Sequence, residues 1–238
     1  MSPTLAARLL ARIHRRYQTK TETLTIGGLK IPFTRIDDPD VVLDQVAAEE
    51  DRRERTSGQR HEGEELHLPY WAELWESGLG IGQMLVGTSE MVRGKNVLDL
   101  GCGMGLAGAI AAALGANVLF ADLEPDSLLF AALNSLPWRE KIRTRRLNWR
   151  KDRLDERFDL ILGADILYEK EQWPFLESFW HEHLAEGGSV LLGEPGRQTG
   201  DLFLEWIRPE DWKIEQSEQP VPTRPRPIRL FHLHAANE

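Results

Sequence analysis

Cysteine and long hydrophobic runs are both scarce in this chain of 238 residues. Cys102 is the single cysteine, so no internal disulfide can form, and we interpret it as a small residue tolerated in a turn. The apolar stretch from Leu106 to Ala121 is too short, and too interrupted by glycine and asparagine, to cross a membrane as a helix. No apolar signal-peptide core follows the start. We therefore expect a cytoplasmic protein without membrane contact.

Basic residues are outnumbered by acidic ones, 29 Lys and Arg against 38 Asp and Glu, for a net charge of -9. Because binding to nucleic-acid phosphates requires a basic surface, we expect no nucleic-acid partner. A basic protein segment suits this charge better as a partner, and we expect a monomer. We interpret two basic clusters as solvated charges in loops and at strand ends, with a patch that binds an anion or nucleic acid as the alternative. The clusters are Arg143, Arg145, Arg146 and Arg150, Lys151, Arg153.

A glycine-rich loop, Asp99-Leu100-Gly101-Cys102-Gly103-Met104-Gly105, follows an apolar run and precedes an Ala/Leu-rich segment. This pattern predicts a strand, a tight turn and a helix, in which missing side chains let backbone N–H groups approach a ligand. Asp122 ends the next apolar run. An acid at that position can accept hydrogen bonds from both ribose hydroxyls of a nucleoside cofactor.

The identity of the cofactor depends on Asp99. The spacing Gly103-x-Gly105-x-x-Gly108 also satisfies the dinucleotide pattern. A carboxylate aimed at the loop would repel a pyrophosphate, however, and would suit a cofactor that carries an ammonium group. This favours S-adenosylmethionine, with S-adenosylhomocysteine as its product. NAD and a glycine turn without a ligand stay as alternatives.

Residues 1–65 read as an N-terminal extension and residues 66–238 as the main domain. Leu5, Leu9 and Ile13 share one face of a predicted docked helix, for which an Arg-rich transit peptide is the alternative. Gly27-Gly28 predicts a hairpin turn, and residues 38–48 a short helix. Residues 49–65 are nearly all charged or polar, which predicts a mobile loop that gates the acceptor side.

The sequence of the main domain predicts an α/β fold. We expect a Rossmann-like, doubly wound, seven-stranded sheet that ends in an antiparallel hairpin. Ligands of such sheets bind beyond the carboxyl ends of the strands. The side chains at four strand ends should therefore meet in one crevice: Asp99, Asp122, Asn148 and Asp165. Trp149 could cover the face of an adenine whose edge Asn148 pairs with.

Other aromatic and histidine residues carry weaker signals. Trp75, in an aromatic segment before the first core strand, is a ligand candidate. His232-x-His234 shares one face of the last predicted strand, but no third ligand is recognisable near it in the sequence, so we predict no metal.

These motifs together resemble the class I, seven-β-strand, S-adenosylmethionine-dependent methyltransferases. The Trp75 element, the glycine loop, Leu147-Asn148-Trp149 and Asp165-x-x-Tyr168 resemble the protein-lysine methyltransferases among them. Pro69-Tyr70-Trp71-Ala72 and Glu194-Pro195-Gly196-Arg197 are similar to the branch that includes the electron-transfer flavoprotein β-subunit lysine methyltransferase. The sequence departs from that family in having Glu76 where Pro is frequent and Asn148 where Asp is frequent. The resemblance implies cofactor contacts from Trp75, Gly101, Gly103, Asp122, Trp149 and Ala164.

The resemblance also implies that Asp165 and Tyr168 line the methyl-acceptor side. Asp165 would attract and orient a lysine ammonium, and Tyr168 would align the amine. Three hypotheses stay open: methylation of a protein lysine, methylation of a small molecule on the same fold, and a cofactor-binding protein without transferase activity. In the alternative structural interpretation, Asp165 caps the following helix and Tyr168 packs in the core.

Overall fold

Strands and helices alternate through most of the chain, as the sequence predicts. The computed structural model describes residues 4–57, 69–207 and 212–236. The strands in these ranges are β1 (Thr19–Ile26), β2 (Leu29–Ile36), β3 (Asn96–Leu100), β4 (Asn117–Asp122), β5 (Ile142–Arg146), β6 (Phe158–Ala164), β7 (Leu184–Glu194), β8 (Trp212–Gln219) and β9 (Ile228–Ala235). The helices there are α1 (Leu5–Ile13), α2 (Pro39–Ser57), α3 (Glu76–Gly87), α4 (Leu106–Ala113), α5 (Pro125–Asn134), α6 (Trp173–His183) and α7 (Gln198–Ile207).

One seven-stranded sheet has the order β5-β4-β3-β6-β7-β9-β8. Strands β3 to β7 run parallel to one another, whereas β9 runs antiparallel to both β7 and β8. The predicted doubly wound fold and its C-terminal antiparallel hairpin are confirmed. Because five parallel strands end at one edge of the sheet, the loops that follow them are brought together there.

Two apolar cores cover the faces of this sheet. Helices α3, α4 and α5 contribute Ile81, Ile110 and Phe130 to the core on one face. Helices α6 and α7 contribute Leu176 and Phe203 to the core on the other. The central strands are apolar on both faces, as expected where helices pack on each side of a parallel sheet. Among the described residues, no helix combines the length and hydropathy needed to span a membrane.

The N-terminal helix and hairpin pack against the first of these cores. Ile13 and Phe33 are fully buried in it. The side chain of Asn134 on α5 accepts a hydrogen bond from the Thr34 N–H at 2.7 Å and donates to the Thr34 carbonyl at 3.0 Å. It also donates to the Met104 carbonyl at 2.9 Å, which joins the hairpin to the glycine loop.

Helix α2 is longer than predicted, because it runs from Pro39 to Ser57. The prediction of a mobile loop from residue 49 is therefore wrong for residues 49–57, and residues 58–68 lie outside the described ranges. The composition was misleading, since the segment is polar all round. Its sequence nonetheless places acids three or four residues before bases, as in Glu49 and Arg53, and this spacing supports a helix.

Candidate active site

The glycine loop connects β3 to α4 through a left-handed backbone. Gly101, Gly103 and Gly105 have φ angles of 64°, 51° and 83°. A Cβ atom at Gly105 would lie 2.7 Å from the Ala131 Cβ, so a side chain there is excluded by packing against α5. A Cβ atom at Gly103 would have the Trp71 carbonyl oxygen, at 3.6 Å, as its nearest neighbour. Gly103 therefore lies on the roomier side of the loop, where a ligand can come close to the backbone.

Asp122 ends β4 directly beside this loop. Its carboxylate accepts hydrogen bonds from the Gly103 N–H at 2.8 Å and the Glu124 N–H at 2.9 Å. Burial raises the pKa of Asp122 to about 6, and these two N–H donors oppose the rise. The acid predicted to bind a ribose thus lies at a strand end against the loop and carries a charge at neutral pH.

Asp99 has a different position from the one predicted. Its carboxylate is 1% exposed and accepts a 2.9 Å hydrogen bond from the Gly108 N–H, in the first turn of α4. Burial raises the pKa of Asp99 to about 7, while the Gly108 hydrogen bond opposes the rise. The side chain supports the loop from beneath. The sequence analysis expected this carboxylate to face a cofactor ammonium group, but in the structure it points under the turn. A side chain at the end of a strand can point either under the following turn or into the crevice.

The segment after β5 brings Trp149 against the loop. A Cβ atom at Gly101 would lie 3.4 Å from the Trp149 ring, whose Nε1 donates to the Gln172 Oε1 at 3.1 Å. The Asn148 Oδ1 accepts a hydrogen bond from the Arg150 N–H at 3.0 Å, so the amide oxygen is used in the turn itself. Ala164, the last residue of β6, leads directly into Asp165.

Asp165 is a buried carboxylate held by a cation. Its φ angle of 57° is the only positive value of a non-glycine residue among those described, and its Oδ2 accepts a 2.8 Å hydrogen bond from Nη2 of Arg197. Burial raises the pKa of Asp165, and Arg197 opposes the rise. Helix α6 begins only at Trp173, after a short 3-10 turn. The alternative interpretation of Asp165 as the cap of that helix is therefore wrong.

The sequence analysis gave Arg197 no role at the site, although the motif Glu194-Pro195-Gly196-Arg197 at the end of β7 carries part of the family resemblance. Glu194 is 1% exposed and accepts hydrogen bonds from the backbone N–H groups of Gly196 and Arg197. Arg229 holds the same carboxylate by a 2.7 Å hydrogen bond. The buried Glu194 thus fixes the turn from which Arg197 reaches Asp165. A Glu-Pro-Gly-Arg sequence at a strand end is the signal that could have identified it.

Three aromatic side chains lie next to the Asp165–Arg197 pair. The guanidinium carbon of Arg197 is 5.3 Å from the Trp75 ring centre. Tyr70 packs edge-on against Tyr168 and Trp75, at centroid distances of 5.2 and 6.4 Å. Burial raises the pKa of Tyr168, and the negative charge of Glu169 adds to this rise. The structure therefore groups Trp75, Asp165 and Tyr168 with Tyr70 and Arg197, to which the sequence analysis gave no role at the site.

Comparisons with known proteins agree with this architecture. A family model described as lysine methyltransferase matches residues 64–208. Protein N-lysine methyltransferase METTL21A of Danio rerio is 38% identical over 130 residues, covering 51% of this chain and 58% of that protein. The electron transfer flavoprotein beta subunit lysine methyltransferase of Mus musculus is 33% identical over 162 residues, covering 66% of this chain and 61% of that protein. The chain thus spans about three fifths of the length of these two relatives.

Solved structures share the fold at lower identity. The ribosomal protein L11 methylase of Lactobacillus delbrueckii subsp. bulgaricus matches with a TM-score of 0.52 and 23% identity, covering 67% of this chain and 76% of that one. The glycopeptide N-methyltransferase MtfA in complex with S-adenosylhomocysteine matches with a TM-score of 0.57 and 14% identity, covering 68% and 90%. At these identities the structures support the fold alone.

Proposed function

The chain belongs to the lysine methyltransferase family, and on that premise we propose that it transfers a methyl group from S-adenosylmethionine to the side-chain amine of a lysine in a protein. The observation that carries this proposal is the buried Asp165 carboxylate, which already binds a cationic side chain at the carboxyl edge of the sheet. A lysine ammonium is a cation of the same charge on a chain long enough to enter such a site.

The residues at the glycine loop suit S-adenosylmethionine. Gly101 and Gly103, which have no side chains, would let the cofactor lie against the backbone of the loop. Asp122 would bind the ribose hydroxyls, and Trp149 would cover the adenine. Room beside Gly103 and the ionised state of Asp122 at neutral pH support this fit. When bound, the cofactor supplies an electrophilic methyl group, whose in-line transfer mainly requires an amine held close and shielded from water.

The protein side chains position the acceptor. A lysine amine must lose its proton before it can attack, and lowering its pKa from about 10.4 to about 7.4 costs roughly 4 kcal/mol. Asp165 attracts and orients the incoming ammonium but opposes this proton loss, so its role is to position the acceptor, and the proton leaves to solvent. Tyr168 stays neutral because burial raises its pKa, and its oxygen can therefore accept an N–H hydrogen bond that aligns the amine.

The openness of the acceptor side favours a protein substrate over a small molecule. Tyr70 is 41% exposed and the Arg197 side chain 42% exposed, so these groups face solvent at the mouth of the Asp165 site. A lysine that projects from a protein surface can reach Asp165 through such an opening. A small-molecule methyltransferase would instead enclose its acceptor in a pocket.

Several relatives are named for the lysine methylation of the electron transfer flavoprotein β subunit. We take the β subunit from the same organism as the first acceptor to test. The purified protein is incubated with methyl-labelled S-adenosylmethionine and a lysate, which is then separated into protein and small-molecule fractions. Label in the protein fraction is expected, with the β subunit among the labelled proteins. Label confined to the small-molecule fraction would establish the competing function, and no transfer at all would indicate a cofactor-binding protein.

A further inference from the structure

A second cluster of reactive side chains lies far from the glycine loop, on the C-terminal hairpin. Glu215, His232 and His234 each offer one potential ligand atom, and these atoms all lie within 4.8 Å of one another. His232 and His234 alternate on β9 and therefore share one face of the sheet. Glu215 on β8 pairs directly opposite His232. The sequence shows no third ligand because Glu215 is distant along the chain, and only the strand pairing brings it near.

This cluster is separate from the proposed catalytic site. On β9, Arg229 pairs with Glu194 at the carboxyl edge of the parallel strands, whereas His234 pairs with Ser189 further back along β7. Five residues of strand separate Arg229 from His234, or about 17 Å at the usual rise per residue. A ligand bound at the histidines would therefore not contact Asp165 or the glycine loop.

We propose that Glu215, His232 and His234 bind one divalent transition-metal ion, with Zn²⁺ as the best match. Two imidazoles and one carboxylate are a donor set that zinc uses in proteins, with water in the remaining position. Imidazole also suits Cu²⁺ and Ni²⁺, whereas Mg²⁺ and Ca²⁺ prefer oxygen ligands alone. The donor set thus discriminates between classes of ion.

The three ligand atoms need to move only slightly closer together to bind an ion. Metal–ligand bonds of about 2.0–2.1 Å in a tetrahedron place ligand atoms about 3.4 Å apart. Since the three atoms lie within 4.8 Å of one another, no separation must shrink by more than about 1.4 Å. Glu215 can make most of this movement, because its side chain is 58% exposed. His232 is more firmly held, since its Nε2 lies 2.8 Å from the Ser189 Oγ. A hydrogen bond of this kind orients the ring of a metal-binding histidine.

Lys213 is the group that competes with the ion. Its Nζ lies 3.3 Å from the Glu215 Oε1, and both side chains are largely exposed. Exposed ion pairs of this type are weak and are screened by salt, so a divalent ion can displace the ammonium. Bound metal would join β8 to β9 and stabilise the closing hairpin of the sheet.

The test uses tag-free protein stripped with a chelator and titrated with Zn²⁺ in a calorimeter, with thermal unfolding as a second measurement. We expect one ion per chain and a higher melting temperature. His234→Ala and Glu215→Gln should each weaken Zn²⁺ binding by at least tenfold, and Lys213→Gln should tighten it. His181→Ala is the matched control, because His181 lies on α6 and is 48% exposed.

Binding of S-adenosylhomocysteine by each variant shows whether it is folded, and Glu215→Gln changes an exposed side chain without changing its size. Co²⁺ provides an independent signature, since a tetrahedral site with histidine ligands gives visible absorption that the His234→Ala variant should lose. The proposal is overturned if wild-type protein binds no Zn²⁺ at one ion per chain, or if His181→Ala weakens binding as much as His234→Ala does.

Discussion

Nη2 of Arg197 donates a 2.8 Å hydrogen bond to the Asp165 carboxylate, which is buried at the end of β6. The same guanidinium lies over the Trp75 ring. A guanidinium keeps its charge at all ordinary pH values. Arg197 therefore binds the same carboxylate that we propose for the lysine ammonium. The acceptor lysine must displace Arg197 from Asp165 in order to bind there.

Replacing Arg197 should strengthen acceptor binding. The Arg197→Gln variant lacks the guanidinium that competes with the acceptor for Asp165. The KM for a lysine acceptor should therefore fall several-fold at pH 8.5, with unchanged affinity for S-adenosylhomocysteine. The gain should shrink as the pH falls, because Asp165, whose pKa burial raises, loses an opposing positive charge and protonates more readily. Steady-state kinetics at several pH values measure both effects.

Arg139→Gln is the control, since Arg139 is exposed and pairs with Glu140. A higher KM in Arg197→Gln would mean that Arg197 helps to bind the acceptor.

Gly103 and Gly28 both have a left-handed backbone. Replacing each in turn therefore distinguishes an effect on cofactor affinity from an effect on protein stability. Gly103 and Gly28 have φ angles of 51° and 87°, and a Cβ atom at either would meet no atom closer than 3.6 Å. Gly103→Ala and Gly28→Ala should each lower the free energy of unfolding by about 1–2 kcal/mol. Only Gly103→Ala should also reduce cofactor affinity, by tenfold or more in calorimetry. Equal affinities in the two variants would remove Gly103 from the cofactor site.

Asp122 should control cofactor affinity. Charge-assisted hydrogen bonds contribute about 1.5–3 kcal/mol, so Asp122→Asn should weaken S-adenosylmethionine binding by about 10- to 100-fold. In wild-type protein, affinity should also fall as the pH is lowered through about 6, where the Asp122 carboxylate becomes protonated. Asp159→Asn is the control, because Asp159 binds the Asn96 N–H at the opposite edge of the sheet. An Asp122→Asn variant with wild-type affinity, or tighter binding of NADH than of S-adenosylmethionine, would contradict the cofactor assignment.

Asp99 should make stability depend on pH. Its pKa is raised from 3.8 to about 7 in the folded chain, so the native state binds the proton more tightly than the unfolded state does. The contribution of Asp99 to the free energy of unfolding is largest at low pH and is lost as the pH rises toward 7. Between pH 5 and pH 8, the free energy of unfolding of the wild-type protein should fall by about 2–3 kcal/mol more than that of Asp99→Asn. Urea titrations measure this difference, and parallel pH profiles for the two proteins would show that Asp99 titrates normally.

The sequence predicts the fold well where local signals and burial agree. Strand β6 ends at Ala164, directly before Asp165, which the sequence analysis places at a strand end because the apolar run stops there. Helix α2 continues past residue 48 without an apolar face beyond that point, and composition alone could not indicate this. Charge pairing along a helix is a weaker signal than apolar periodicity.

The site is predictable only in part, because strand ends can be located from the sequence but contacts between distant turns cannot. Asp122 and Asp165 lie where their strands end, as predicted. Arg197 reaches Asp165 across 32 positions of sequence, and Tyr70 contacts Tyr168 across nearly a hundred. The orientation of Asp99 depends on the turn that follows it, since the Gly108 N–H draws the carboxylate under the loop.

The central claim is that this chain methylates a lysine side chain positioned by Asp165. The most direct measurement is tandem mass spectrometry of proteins labelled by wild-type enzyme and by Asp165→Asn, with cofactor affinity measured for both. The account predicts label on a lysine side chain with wild-type enzyme, and at least tenfold less label with Asp165→Asn, whose cofactor affinity stays within about threefold, or roughly 0.7 kcal/mol. Label on another residue type, or equal labelling by the two proteins, would contradict it.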